Sequence, residues 1–203
     1  NFKKYFKVKH AVSFNSASTA LQAAVAAIGT GPGDQVITSP FTMPATATAV
    51  LLNNAIPVFA DLDSKTYCLN PDSIEKLVNG RTKAILAVNL YGASADYDNI
   101  LKIAKKHKLK VIEDNAQAPG ALYQGKFTGT IGDIGIFSFN VHKAIQSGEG
   151  GMLLTNNDRY AWRAQLFRNH GEAVMDDLAD DPKTKLELLA GNNFRLTEIQ
   201  AAI

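Results

Sequence analysis

A single cysteine, Cys68, stands in 203 residues, so an internal disulfide is impossible and no Cys cluster is available for zinc. A reducing, cytoplasmic compartment is the simpler expectation. A charge excess of one sign is also missing: 21 Lys and Arg against 19 Asp and Glu leave a net charge of +2. That balance points to neither nucleic acid nor a membrane surface as a partner. No apolar run is long enough to cross a bilayer. The opening Asn1-Phe2-Lys3-Lys4-Tyr5-Phe6-Lys7 lacks the apolar core and cleavage site of a signal peptide. There is no initiator Met, and the last residues read as a helix without a stop signal. The chain is therefore expected to be a piece of a longer protein. No G-x-G-x-x-G, G-x-S-x-G or H-E-x-x-H occurs, which leaves dinucleotide binding, serine hydrolysis and zinc proteolysis without their usual signatures.

What is present is an ordinary globular composition, 46% hydrophobic, of a length that suits one large domain. Short β-rich runs alternate with amphipathic segments. Strands are expected at 11–14, 36–38, 57–60, 83–90, 111–112, 134–139 and 152–154. Helices are expected at 18–28, 45–52, from Pro71, at 96–107 and at 158–167. Ile100, Ile103 and Ala104 fall on one face of the fourth of these helices. This alternation predicts an α/β fold: a mainly parallel, mixed sheet with helices on both faces. In such sheets ligands sit beyond the carboxyl ends of the strands, so the residues following each strand are the first candidates.

Three segments meet that condition. Asn15-Ser16-Ala17-Ser18-Thr19-Ala20-Leu21 joins a strand to a helix. Its small residues and free helix-start N–H groups suit a phosphate, with the Ser16 and Ser18 hydroxyls as further donors; taken alone, a plain serine N-cap is the more ordinary reading. In Val111-Ile112-Glu113-Asp114-Asn115-Ala116-Gln117, Asp114 ends a buried strand and needs a partner, either a protonated pyridine nitrogen, a metal or a structural cation. Glu113 alternates to the other side and reads as structural. In Phe137-Ser138-Phe139-Asn140-Val141-His142-Lys143, followed by Gly148-Glu149-Gly150-Gly151, a strand ends in a loop that carries a lysine. A lysine in a partly desolvated pocket can form a Schiff base, whereas most lysines are simply solvated. His142 reads as a packed or hydrogen-bonded histidine. Lys105-Lys106-His107-Lys108 suits a helix C-terminus, and Asp176, Asp177, Asp180 and Asp181 read as a solvated loop.

The order of these elements carries more than any one of them. N-S-x-S-x-A-L at 15–21 is followed by G-x-G-D-x-V-I, P-F-T-x-x-A-T, P-V-F-x-D-x-D and E-D-x-A-Q. Then come G-D-I-G-x-F-S-F-x-x-x-K, G-E-G-G, R-N-H-G and a closing N-x-R-x-T-E-I-Q-A-A. This succession, from about Val12 to Ile203, resembles the DegT/DnrJ/EryC1/StrS family of sugar aminotransferases, with the aspartate-aminotransferase type of fold. The resemblance implies a fragment, 1–203, of the large pyridoxal 5'-phosphate (PLP) domain, with an N-terminal segment and a small C-terminal domain lying elsewhere. It implies that Lys143 forms the Schiff base with PLP, that Asp114 pairs with the pyridine nitrogen, and that Gln117 lies near the ring hydroxyl. Ser138, Ala17 and Ser18, with Ser16, become phosphate ligands. Asn193 is offered to the phosphate of a neighbouring subunit, which makes a homodimer with shared sites. The implied substrates are an amino-acid donor, glutamate, and a nucleotide-linked keto-sugar. Two positions depart from the family pattern: Ala17 stands where Gly is frequent, and Met43 stands where an aromatic residue commonly stacks on the ring. Relatives that dehydrate sugars replace the lysine by histidine, and this chain keeps Lys143. A PLP-dependent dehydratase or lyase and a non-catalytic aminotransferase-like module are the competing readings.

Overall fold

The computed structural model describes residues 1–171 and 190–203; the aspartates at 176, 177, 180 and 181 lie outside them. In chain order the elements are α1 (Phe2–Phe6), β1 (His10–Phe14), α2 (Ala17–Ala27), β2 (Gln35–Thr38), α3 (Ala45–Leu51), β3 (Ile56–Phe59) and α4 (Pro71–Leu77). Then follow β4 (Thr82–Val88), α5 (Tyr97–His107), β5 (Lys110–Asp114), β6 (Leu122–Tyr123), β7 (Lys126–Phe127), β8 (Ile134–Ser138), β9 (Gly151–Thr155), α6 (Asp158–Arg168) and α7 (Glu198–Ala202).

Seven strands form one sheet in the order β1-β9-β8-β5-β4-β2-β3. The pairs from β8 to β3 are parallel, while β9 is antiparallel to both β8 and β1. Only β9 therefore runs against the rest. Parallel neighbours need crossovers, and α3 and α5 supply them between β2 and β3 and between β4 and β5. Because six strands share a direction, Phe14, Thr38, Val88, Asp114 and Ser138 all end at one edge of the sheet, and β9 begins there at Gly151.

The central strands are buried on both sides. β4 reads Thr-Lys-Ala-Ile-Leu-Ala-Val with only Lys83 exposed, the unbroken apolar run that a covered parallel strand requires. The helices form two groups: α2 with α3 and α6, and α4 with α5. α2 is nearly all Ala, Leu and Val along its buried length, and its Ala20, Ala23, Ala24 and Ala27 allow it to lie close against the sheet. α5 has a single apolar stripe, Tyr97, Ile100 and Ala104, capped at Asp96, whose carboxylate accepts the Asn99 N–H at 3.2 Å. At the other end of α5, Lys106 and His107 reach Glu75 on α4 and tie the two helices.

The mixed, mainly parallel sheet is the expected one, and most element ends differ from expectation by one or two residues. The expected strand 83–90 is shorter: it stops at Val88, and Leu90–Gly92 form a tight turn in which Tyr91 takes a left-handed backbone (φ 50°, ψ 32°). α1 has no counterpart among the expected helices. It seats Phe2 and Phe6 on Phe137 of β8, with ring centroids 5.3 and 4.8 Å away, and so covers the strand that ends at Ser138.

Candidate active site

The strand ends and the loops after them enclose a cavity of about 480 Å³. Its wall includes Ser16, Ala17, Ser18, Met43, Asp114, Gln117, Ser138 and Lys143. Residues that stand 127 positions apart in sequence thus meet because β1, β5 and β8 stop at the same edge. Asn193 is the exception among the expected site residues. It is exposed, pairs through the backbone with Asn169, and does not line this cavity.

The anion end is built at the start of α2. Ser16 caps the helix, its hydroxyl accepting the Thr19 N–H at 3.2 Å. The Ala17 and Ser18 N–H groups have no partner among the described residues, so two helix-start donors face the cavity with the positive end of the helix dipole behind them. Ser16 is thus the plain N-cap, and the turn it caps lines the cavity. Gly151 is what lets β9 pass beneath. A Cβ there would lie 2.4 Å from the Ser16 carbonyl oxygen and 2.6 Å from the Ala17 nitrogen. Ala17 has no left-handed backbone, so alanine fits the helical position without strain. Ser138, at the end of β8, is buried and brings a third hydroxyl into the wall.

Asp114 forms the opposite end. It is 4% exposed. One carboxylate oxygen accepts the Thr46 hydroxyl at 2.9 Å and the other accepts the Ala116 N–H at 3.2 Å. Both in-chain donors are neutral. Burial pushes the carboxyl up from its ordinary value, opposed in turn by the Ala116 N–H, the Thr46 hydroxyl and the charge of Lys143. No ion pair within 4 Å reaches Asp114 among the described residues, nor do those residues gather a group of three potential metal ligands. Lys143 lines the same cavity but no cation touches Asp114 among the described residues, and a protonated ring nitrogen presented from the cavity fits that place.

Thr46, the last residue of P-F-T-x-x-A-T, is a site residue that sequence pattern alone does not single out. Thr42 precedes α3 and Thr46 lies in its first turn, and their hydroxyls lie 2.8 Å apart. Glu113 is structural as expected. Its buried carboxylate accepts the N–H groups of Gly129 (2.7 Å), Ile131 and Gly132 (2.6 Å each), fastening the loop before β8. Lys143 is partly buried, its backbone N–H donating to the Asn140 carbonyl at 2.9 Å. His142 departs from expectation: it is exposed and lines the cavity beside Lys143, because the turn after β8 points outward. Met43 is 64% exposed at the mouth.

A family model described as the DegT/DnrJ/EryC1/StrS aminotransferase family matches residues 1–203. The chain belongs to that family. It is 44% identical to the GDP-perosamine synthase of Caulobacter vibrioides over 203 residues, covering 100% of this chain and 53% of that protein. It superposes on an aminotransferase from Psychrobacter cryohalolentis with a TM-score of 0.91 at 37% identity, covering 99% of this chain and 52% of the other. NtdA from Bacillus subtilis, solved with bound cofactor PMP, matches with a TM-score of 0.87 at 34% identity, covering 99% and 44%. The chain thus spans about half the length of the family relatives it matches. Family membership agrees with the motif order from Asn15 to Ala202 and with the fold.

Proposed function

We propose that this protein is a PLP-dependent aminotransferase that moves an amino group from glutamate to a nucleotide-linked keto-sugar in the cytoplasm. The observation that carries the reading is the buried Asp114, bonded only by neutral donors, in one cavity with Lys143 and the open N-terminus of α2. That donor set fits PLP from end to end: phosphate at Ala17, Ser18 and Ser138, ring nitrogen at Asp114, ring hydroxyl side at Gln117, aldehyde at Lys143. The similarity to a GDP-perosamine synthase supports a nucleotide sugar as acceptor.

PLP supplies an electron sink for negative charge formed at the donor's α-carbon. The chain's own residues make that possible. The helix-start N–H groups and hydroxyls hold the phosphate, whose charge the α2 dipole stabilises. Asp114 holds a proton on the ring nitrogen, and Thr46 and Ala116 orient its two oxygens toward that task. The Lys143 amine would hold the aldehyde and would serve as the general base at the donor's α-carbon. Met43, in the cavity wall, would offer a thioether to the ring where an aromatic face is common. Asn193, exposed and outside the cavity, is free to meet the phosphate held by a second copy, so the working unit is a homodimer.

Supplied with PLP and glutamate but no acceptor, the whole protein is expected to release 2-oxoglutarate in an amount equal to its sites and then stop. Adding a nucleotide-linked keto-sugar restarts release. Failure to produce an oxo-acid from glutamate or any other amino acid contradicts transamination.

A further inference from the structure

Asn115, between Asp114 and the segment that carries Gln117, is fully buried, as is Asn89 just beyond β4. A carboxamide offers two N–H donors and an oxygen with two lone pairs. At Asn115 all four are used. Its Nδ2 donates to the Ala118 carbonyl at 2.9 Å and to the Thr128 carbonyl at 3.2 Å. Its Oδ1 accepts from Asn89 Nδ2 at 3.0 Å and from the Thr128 hydroxyl at 2.7 Å. The Asn115 backbone N–H donates to the Ile136 carbonyl on β8 at 2.8 Å.

Asn89 extends the network. Its Oδ1 accepts the Ala95 N–H and the Tyr97 hydroxyl, each at 3.0 Å, and its backbone N–H donates to the Asp114 carbonyl at 3.0 Å. One amide therefore joins the ends of β4 and β5 to the residue that follows β7, directly beneath the turn 114–118. The same turn presents Asp114 and Gln117 to the cavity. Gln117 in turn accepts the Tyr91 N–H at 3.2 Å. That bond holds the left-handed Tyr91 beside a second cavity of about 270 Å³, which shares Gln117, His142 and Lys143 with the first.

We propose that Asn115 is a positioning residue for the cofactor: its four-bonded amide sets the turn that aims the Asp114 carboxylate and Gln117 into the cavity. The inference rests on reading the cavity as a PLP site. No other side chain of that size supplies two donors and two acceptors. Aspartate loses both donors. An apolar residue leaves Asn89 Nδ2 and the Thr128 carbonyl without partners in a region closed to water, while the Thr128 hydroxyl keeps the Ala121 carbonyl at 3.2 Å and the Ala118 carbonyl keeps the Ala121 N–H at 3.1 Å.

The test measures the PLP dissociation constant of the whole protein by absorbance titration, with far-UV circular dichroism and the melting temperature recorded for each variant. Asn115→Ala is expected to weaken PLP binding about tenfold to a hundredfold, the range seen when a group that orients a ligating residue is removed. The absorption maximum of bound PLP should shift with it, since the Asp114 contact moves. Thr128→Val withdraws one of the four bonds and should weaken binding by a smaller factor. Thr128→Ser keeps the hydroxyl and should restore wild-type affinity. A folded Asn115→Ala or Thr128→Val protein that melts earlier but binds PLP as wild type does overturns the inference, leaving Asn115 a purely structural residue. If Asn115→Ala does not fold, the Thr128 pair decides alone. A wild type that binds no PLP removes the cofactor reading itself, an outcome distinct from variants that match a wild type that binds.

Discussion

Lys143→Ala protein is expected to turn over at least about a thousandfold more slowly than wild type, within the range that one positioned acid–base group contributes. The loss should fall on kcat more than on KM. The cavity keeps its phosphate end and Asp114, which do not depend on the lysine side chain, so PLP should still bind, without a covalent link. A small primary amine added to the variant should recover part of the rate by replacing the missing Nζ. Steady-state kinetics with and without the added amine check this. Activity within tenfold of wild type would mean that another group moves the proton.

Asp114→Asn is expected to split stability from function. The carboxyl is buried and its pKa is raised, chiefly by burial. A carboxyl whose folded pKa lies above its unfolded value binds more protons in the folded state across that window. Stability of the cofactor-free protein therefore falls as pH rises from the ordinary value near 3.8 to the raised one. Above the window the destabilisation is complete. Asparagine has no charge to bury, but its one oxygen accepts from Thr46 or from Ala116 and not from both, so the melting temperature of the cofactor-free variant should gain on that of wild type as pH rises from below the carboxyl's ordinary range to neutral. Turnover should meanwhile drop by about a hundredfold to a thousandfold, as when one preorganised electrostatic partner is removed. Melting curves across pH, set beside kinetics at neutral pH, test both halves. A melting-temperature difference that does not change with pH would contradict the buried charge, and near-normal turnover would remove Asp114 from the pyridinium role.

Most of the sheet was legible because its parallel strands are short apolar runs separated by strong breaks, such as Gly29–Asp34 between α2 and β2. The elements that escaped are those in which local pattern is weak. α1 has five residues, too few to display a period, and is held by Phe2 and Phe6 against Phe137 rather than by its own propensity. The β6–β7 hairpin has two residues per strand. Its Gln124-Gly125 turn, with both φ values positive at 49° and 78°, is a signal that periodicity does not weigh.

The site shows the same division. Asp114 and Lys143 stand at strand ends, where fold class alone directs the search. Thr46, Asn89 and Asn115 act on the site through hydrogen bonds between segments that sequence keeps far apart: Thr46 meets Asp114 across 68 positions, and Asn89 meets Asn115 across 26. Asn115 looks like one more polar residue in a loop until burial shows that its amide has no water to satisfy it. Asn193, expected at a neighbouring subunit's phosphate rather than at its own, lies outside this chain's cavity.

The most direct measurement is borohydride reduction of the whole protein with PLP bound, followed by mass-spectrometric mapping of the modified peptide. The account predicts loss of the visible absorbance and a pyridoxyl group on Lys143. A pyridoxyl group on a different lysine, or none on well-folded protein, would contradict it.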